Sequence, residues 1–320
     1  MLKADLEKAL KATVEEGVPL FRRTSIRVGG PCALFATAQG EQGLADALDA
    51  CRQAGTPWHI LGLGTNTLVS DAGFKGVVFK LAPAIEEFQD AGGGKGSLKL
   101  GAGNGLGRLV LRAREKGLVG MESLGGIPGT IGGAIAMNAG TKQGYVERIT
   151  AEVGLVEPGR VRVLCAEEVG FAYRATSLPK DSVVTWARFL LPQGDADALA
   201  ASKKALDDDV AWRKKTQPYD LPSFGSTFKN PRSDFAGRLV EACGLKGKAQ
   251  GGAQISELHA NFIVNRGGAS CADVLALMKA MFSEVKARFG VALKPEVKLL
   301  GELDPADLPW AAPEGGQGVG

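Results

Sequence analysis

Histidine, cysteine and aromatic residues are all scarce in this 320-residue chain, with two His, five Cys and 6% aromatics. Two imidazoles, His59 and His259, are too few for a metal centre built on histidine. Cys32, Cys51, Cys165, Cys243 and Cys271 are odd in number, widely spaced and without a C-x-x-C. That pattern argues against a disulfide framework and against a zinc site. An excess of one charge is lacking too: 38 Lys and Arg against 35 Asp and Glu leave a net +3, with no basic run. Nucleic acid is therefore not an expected partner. The start, Met1 to Glu7, alternates charge and has no apolar core, so it does not read as a signal peptide. Long apolar runs are also missing. Ser123 to Thr141 carries no charge, but its glycines, Pro128 and Asn138 make it a poor membrane helix. The expectation is a cytoplasmic protein without membrane contact.

What is abundant is glycine, 45 of 320 residues, without a collagen period. With 45% hydrophobic and 23% charged residues the chain reads as globular, long enough for two domains or three small ones. Leu2, Leu6 and Leu10 predict a short helix. A strand over 33–38, a helix over 42–54 and strands over 58–61 and 77–81 predict a βαβ-like opening that closes near Pro83. A strand over 97–100, a helix marked by Leu106, Leu109, Val110 and Ala113, and strands near 151–156, 161–164 and 182–191 form a second unit. Residues 191–195 read as a linker and 196–215 as a charged helix. The remainder reads as α+β: Val274, Leu277, Met278, Met281, Phe282 and Val285 form an amphipathic stripe, and Val297 and Leu299 alternate as in a last strand. Pro305 to Gly320 reads as disordered.

Five segments could carry chemistry. Gly62-Leu63-Gly64-Thr65-Asn66-Thr67 follows a strand, and its backbone could form a nest for a diphosphate. An ordinary strand-to-turn connection explains it equally well. Gly101 to Gly107 opens a helix like a dinucleotide loop, but no strand ending in an acid follows, so helix entry is the better reading. Gly125 to Gly140 offers small residues and backbone amides suited to a large planar cofactor. A packed loop is its bland alternative. In Phe224 to Pro231, Ser226 has Lys229 nearby, and a cation there could help a hydroxyl give up a proton. A serine in a tight turn is the commoner case, and Ser223 is its competitor. Arg174, beside aromatics, suits a carboxylate clamp, against a plain surface ion pair. Glu296 reads most simply as a strand residue.

Taken in order, these pieces resemble one family. Thr24 to Pro31, Leu61 to Asp71, Gly117 to Gly140, Tyr173-Arg174, Gly225 to Pro231, and Ala236 to Val264 are similar to the UDP-N-acetylenolpyruvoylglucosamine reductases of peptidoglycan precursor synthesis, over residues 20–302. Any one motif is weak; the ordered set is specific. The resemblance implies an FAD-dependent oxidoreductase whose flavin-binding unit has the vanillyl-alcohol-oxidase-like (PCMH-type) fold. That unit would comprise two subdomains, 1–82 and 83–195. A C-terminal α+β substrate domain, 196–303, and a disordered tail, 304–320, would follow. The short interval between Arg174 and Ser226 leaves little room for the extra substrate loop of the type I enzymes and points to type II.

The resemblance also implies roles. Non-covalent FAD would be held by Gly62, Leu63, Gly64, Thr65, Asn66 and Thr67, and by Gly126, Ile127, Gly129, Gly132, Gly133 and Ala134. NADPH would be the reductant. Arg174 and Glu296, the latter protonated, would polarise the substrate carboxylate. Ser226 would protonate C2 after hydride reaches C3, and Lys229 and Asn230 would lie near the substrate diphosphate. The protein is expected to be a monomer without a metal. Three departures stand out: Thr65 replaces the usual serine, Thr176 replaces another, and 141–145 departs from the usual Ala-Tyr-Gly. A flavin oxidase with covalent FAD is the rival enzyme, but 125–140 has no His or Cys to carry the link. A flavin- or sugar-nucleotide-binding regulator would not need Ser226, Arg174 and Glu296 together.

Overall fold

The computed structural model describes residues 1–84, 86–141 and 143–311. They form two compact units. One comprises Met1–Val18, Cys32–Leu63 and Gly76–Lys215; the other comprises Pro19–Pro31, Gly64–Lys75 and the chain from Thr216 onward.

In the first unit, Leu6 and Leu10 of the helix Leu2–Leu10 are buried at helical spacing, as are Leu44, Leu48 and Cys51 of the helix Glu41–Gln53. With Ala36, Val77 and Phe79 they make one apolar core. The sheet beneath runs Val14–Pro19, Pro31–Ala38, Phe74–Leu81, Trp58–Ile60. Trp58 and Ile60 lie opposite Val77 and Phe79 in a parallel pair, as the βαβ pattern predicts. A second sheet of five antiparallel strands runs Arg160–Cys165, Thr150–Glu157, Val183–Pro192, Lys95–Gly101, Glu86–Gly92. Leu98, Leu100 and Phe189 from this sheet pack with Leu109 and Ala113 of the helix Leu106–Glu115. The strand Glu86–Gly92 is exposed along its whole length. Its polar sequence has no buried face to impose an alternation, so only its pairing with Lys95–Gly101 makes it a strand.

Two expectations change here. The glycine-rich stretch is not structureless: Ile131–Ala136 is a short helix, and Thr130 Oγ1 caps it by accepting from Gly133 N at 3.2 Å. The helix Ala196–Thr216, expected to open the third domain, packs against the first unit. Ser202 Oγ donates to Glu122. A methyl on Gly125 would fall 2.8 Å from Leu206 Cδ2, and one on Gly126 3.1 Å from Arg213 Cδ. Arg213 is itself paired with Asp209 at 2.8 Å, with both side chains 10% exposed.

In the second unit an antiparallel sheet runs Ser223–Ser226, Phe262–Asn265, Ala253–Ile255, Ala249–Gln250. The predicted stripe of Val274, Leu277, Met278, Met281, Phe282 and Val285 lies buried on the helix Cys271–Phe289. The short strand Lys298–Leu300 runs parallel to Thr67–Val69. Two early segments belong to this unit rather than to the opening subdomain. Asn265 Nδ2 donates to Ile26 O at 3.0 Å. Asp71 accepts from the backbone N–H groups of Cys271 at 2.7 Å and Ala272 at 3.1 Å, a carboxylate placed at the positive end of the long helix.

The expected disorder from residue 304 does not extend to 311. Asp304 caps the single turn Pro305–Asp307. The Trp310 ring meets Phe228 and Phe282 edge to face, at centroid distances of 6.0 and 6.1 Å, which anchors the segment by burying an aromatic surface. Residues 312–320 of the expected tail lie outside the described residues. Among the described residues no helix is long and apolar enough to cross a membrane.

Candidate functional site

The two units each gather part of the predicted set. In the first unit, Gly62 lies against the cap of the short helix: a Cβ there would sit 2.6 Å from Thr130 Oγ1. Gly62 and Leu63 thus adjoin the stretch that holds Gly126, Ile127, Gly129, Gly132, Gly133 and Ala134. Many amides of that stretch are spent inside the unit. Ile127 N donates to Leu124 O, Ile131 N to Asn104 O, Gly132 N to Ala102 O and Ala134 N to Thr130 O. Gly133 N goes to the cap. Those five amides of the segment are therefore engaged within the unit. The segment offers bare glycine faces, with Gly133 exposed. A flat ring system fits such a surface, because no side chain stands in its way.

Arg174 lies in the same unit, at the tip of a tight turn. Ala172 N donates to Ala175 O at 2.9 Å and Ala175 N to Ala172 O at 3.2 Å. Arg174 takes φ +53°, a left-handed conformation that costs a side-chain-bearing residue about 1–2 kcal/mol. Its Nη2 donates to Gly140 O at 3.0 Å. The guanidinium lies 5.9 Å from the Tyr145 ring centre and 5.7 Å from that of Tyr173, within range of cation–π attraction. Strain of this kind collects where a group must be held in one place.

In the second unit, the remainder of the diphosphate-type loop, Gly64 to Thr67, comes beside Ser226 and Glu296. Gly64 has φ +63°, and a Cβ on it would meet Arg23 O at 2.3 Å, so only glycine fits. Ser25 Oγ ties this loop to the serine strand, 3.1 Å from Gly64 O and 2.6 Å from Ser223 O. Ser226 ends the strand Ser223–Ser226, opposite Phe262, rather than lying in a free turn. The next residue binds the glutamate segment: Glu296 N donates to Thr227 O at 2.9 Å. Asn66 Nδ2 donates to Glu296 O at 3.2 Å. Thr67 is a buried strand residue paired with Lys298, not a loop donor. Lys229 is placed by its own N–H, 2.8 Å from Lys294 O. The Asn230 side-chain oxygen accepts from Ala236 N at 3.0 Å and so starts the helix Ala236–Ala242.

The structure adds residues that the motifs did not single out. Asn261 clamps the backbone of Phe228, accepting from its N–H at 3.0 Å and donating to its carbonyl at 2.8 Å. Thr227 N donates to Asn261 O at 2.8 Å. His259 Nδ1 in turn accepts from Asn261 N at 3.2 Å, and its ring lies on Phe262. Burial pushes the His259 imidazole below its ordinary pKa, so it rests as a neutral acceptor.

Comparison with known proteins bears on both units. Residues 32–159 match the FAD binding domain family. Residues 217–300 match the C-terminal domain of UDP-N-acetylenolpyruvoylglucosamine reductase. The chain is 46% identical over 306 residues to the UDP-N-acetylenolpyruvoylglucosamine reductase of Anaeromyxobacter sp. (strain Fw109-5), covering 96% of this chain and 94% of that one. It is 44% identical over 312 residues to the protein of the same name from Myxococcus xanthus, covering 95% and 100%. The crystal structure of UDP-N-acetylenolpyruvylglucosamine reductase from Thermus caldophilus superposes with a TM-score of 0.76 at 36% identity, over 90% of this chain and 99% of that chain.

Proposed function

Because the chain belongs to the UDP-N-acetylenolpyruvoylglucosamine reductase family, an FAD-dependent oxidoreductase family of peptidoglycan synthesis, we propose that Arg174, Ser226 and Glu296 carry its reaction. The overall change converts the enolpyruvyl ether of UDP-N-acetylglucosamine to the lactyl ether of UDP-N-acetylmuramate, consuming NADPH and a proton. Bound FAD would supply the hydride chemistry, taking reducing equivalents from NADPH for addition at C3 of the double bond. As that bond breaks, its electron pair moves onto C2 and the attached carboxylate. Arg174 and a protonated Glu296 receive this charge by hydrogen bonding to the carboxylate, which lowers the barrier because they are placed before the charge develops. The Ser226 hydroxyl then delivers its proton to C2, and solvent restores it. The Lys229 ammonium favours that release and lies near the sugar diphosphate, as does the exposed amide of Asn230.

The observation that carries this reading is the backbone bond from Glu296 to Thr227, with the Asn66 amide on the Glu296 carbonyl. These bonds support an acid and a proton donor fixed side by side along one strand edge. Gly62 to Thr67, with Gly126, Ile127, Gly129, Gly132, Gly133 and Ala134, are the residues we assign to FAD. Thr65 is suited to hydrogen bonding with the diphosphate; Thr67 supports it from the strand. FAD on 1–195 and the UDP-sugar on 196–303 remains our division of labour, except that the helix Ala196–Thr216 goes to the flavin side. We place the enzyme in the cytoplasm as a monomer. Among the described residues no disulfide joins the five cysteines, which suits a reducing compartment.

The decisive variant is Ser226→Ala. A placed general acid contributes about 10²–10⁴-fold. NADPH should still bleach the flavin of this variant at the normal rate, while reoxidation by the enolpyruvyl sugar falls by that factor. Normal turnover, or a flavin that NADPH no longer reduces, would remove Ser226 from the role.

A further inference from the structure

The turn that presents Arg174 is held by more than its own two backbone bonds between Ala172 and Ala175. Its Ala172 carbonyl accepts from Asn138 Nδ2 at 3.1 Å. The same amide nitrogen donates its other hydrogen to Glu147 Oε2 at 2.6 Å. Asn138 Oδ1 accepts from Glu147 N at 3.3 Å. Both N–H groups of this amide and its oxygen are thereby engaged, and the residue is 2% exposed. Asn138 also has φ +42°. Between these two residues in sequence, the hairpin of Gly140–Thr141 and Gly144–Tyr145 supplies both the carbonyl and the ring that meet Arg174. The Tyr145 and Tyr173 rings touch edge to face at 6.4 Å.

We propose that Asn138 and Glu147 are positioning residues for the reduction step. They clasp the Ala172–Ala175 turn to the 140–145 hairpin and so fix the guanidinium of Arg174. The inference rests on Arg174 acting on the substrate carboxylate, as argued above. Neither residue touches the substrate. A carboxylate clamp needs its guanidinium within about 1 Å of the productive position, and an error of that size costs about 10²-fold.

The test compares Asn138→Ala, Glu147→Ala, Glu147→Gln, Arg174→Ala and the double variant Asn138→Ala/Arg174→Ala, all as flavin-loaded full-length enzyme. Two rates are read: flavin reduction by NADPH, and reoxidation of the reduced enzyme by the enolpyruvyl UDP-sugar. Asn138→Ala and Glu147→Ala should slow reoxidation about 10–100-fold and leave NADPH reduction close to normal. Glu147→Gln keeps an acceptor for the amide and should stay within about threefold of wild type. The double variant should be no slower than Arg174→Ala alone, because the clasp acts only through that arginine. Wild-type reoxidation in Asn138→Ala, or a further multiplicative loss in the double variant, overturns the proposal. If Asn138→Ala does not retain flavin, the Glu147 pair decides, and equal rates for Glu147→Ala and Glu147→Gln overturn it. Wild-type reoxidation in Arg174→Ala would instead overturn the role given to that arginine.

Discussion

Asn261 shows what single residues do here that no motif announces. Its amide satisfies both backbone groups of Phe228, which is fully buried two residues after Ser226. Asn261→Ala would strand a buried N–H and a buried C=O. We expect it to cost about 2 kcal/mol or more of stability and to slow sugar-driven reoxidation with NADPH reduction unchanged. Urea unfolding and the two half-reactions check it; an unaltered unfolding midpoint would contradict it. At this scale Ser226, Arg174 and Glu296 were readable as candidates in the sequence because they sit in short strings that resemble a family. Asn138, Glu147 and Asn261 were not, because a polar residue whose partners lie on another segment leaves no period and no spacing to read. The resemblance places Asn66 among the residues that would hold FAD and Asn230 near the substrate diphosphate. The structure engages Asn66 Nδ2 with Glu296 O and the Asn230 oxygen with a helix start.

Strands and helices with one buried face were legible, because burial imposes a period: Leu44, Leu48 and Cys51 on one helix, and Val274 to Val285 on another. Elements without such a face were not. Ile131–Ala136 was missed for a different reason: it buries Ile131, Ala134 and Ile135 at helical spacing, but it is only 6 residues long and holds Gly132 and Gly133, which disfavour helix; its cap and its neighbours hold it. Glu86–Gly92 has no buried residue at all. Trp310 ordered a segment whose composition read as disordered. The strand Trp58–Ile60 carries a consequence for stability. Burial pushes His59 from 6.5 down to about 4, because an imidazolium there would lose its hydration. Between those values the unfolded chain takes up a proton that the folded one refuses. Stability is therefore fully present above about pH 6.5 and falls as pH drops toward 4, by up to about 3 kcal/mol at about 1.4 kcal/mol per pH unit. His259, also lowered by burial, acts in the same direction. Asp234, held down to about 2 by Arg238, has a pKa shifted from 3.8, so its contribution is lost only at more acidic pH. A urea midpoint that drops from pH 7.5 to 5, and drops less in His59→Gln, is the expected result. Equal midpoints at the two pH values would show that His59 titrates normally.

For the whole molecule, the two units are each built from segments distant in sequence. Loop closure of this kind follows from long-range pairing, such as Lys298–Leu300 beside Thr67–Val69, which no local pattern reveals. The expected boundary at 195 rested on a linker-like string, whereas Leu191 is a buried strand residue and the helix beyond it packs on Gly125 and Gly126. What the whole chain does was nonetheless readable, because the ordered set of motifs spans most of its length. Bound FAD would pass reducing equivalents from NADPH to the enolpyruvyl sugar. Anaerobic visible absorbance of the purified protein tests it most directly. A yellow protein that bleaches with NADPH and regains its colour when the enolpyruvyl UDP-sugar is added is the expected result. A protein that takes up no FAD, or one that bleaches and stays reduced in the presence of that sugar, would contradict it.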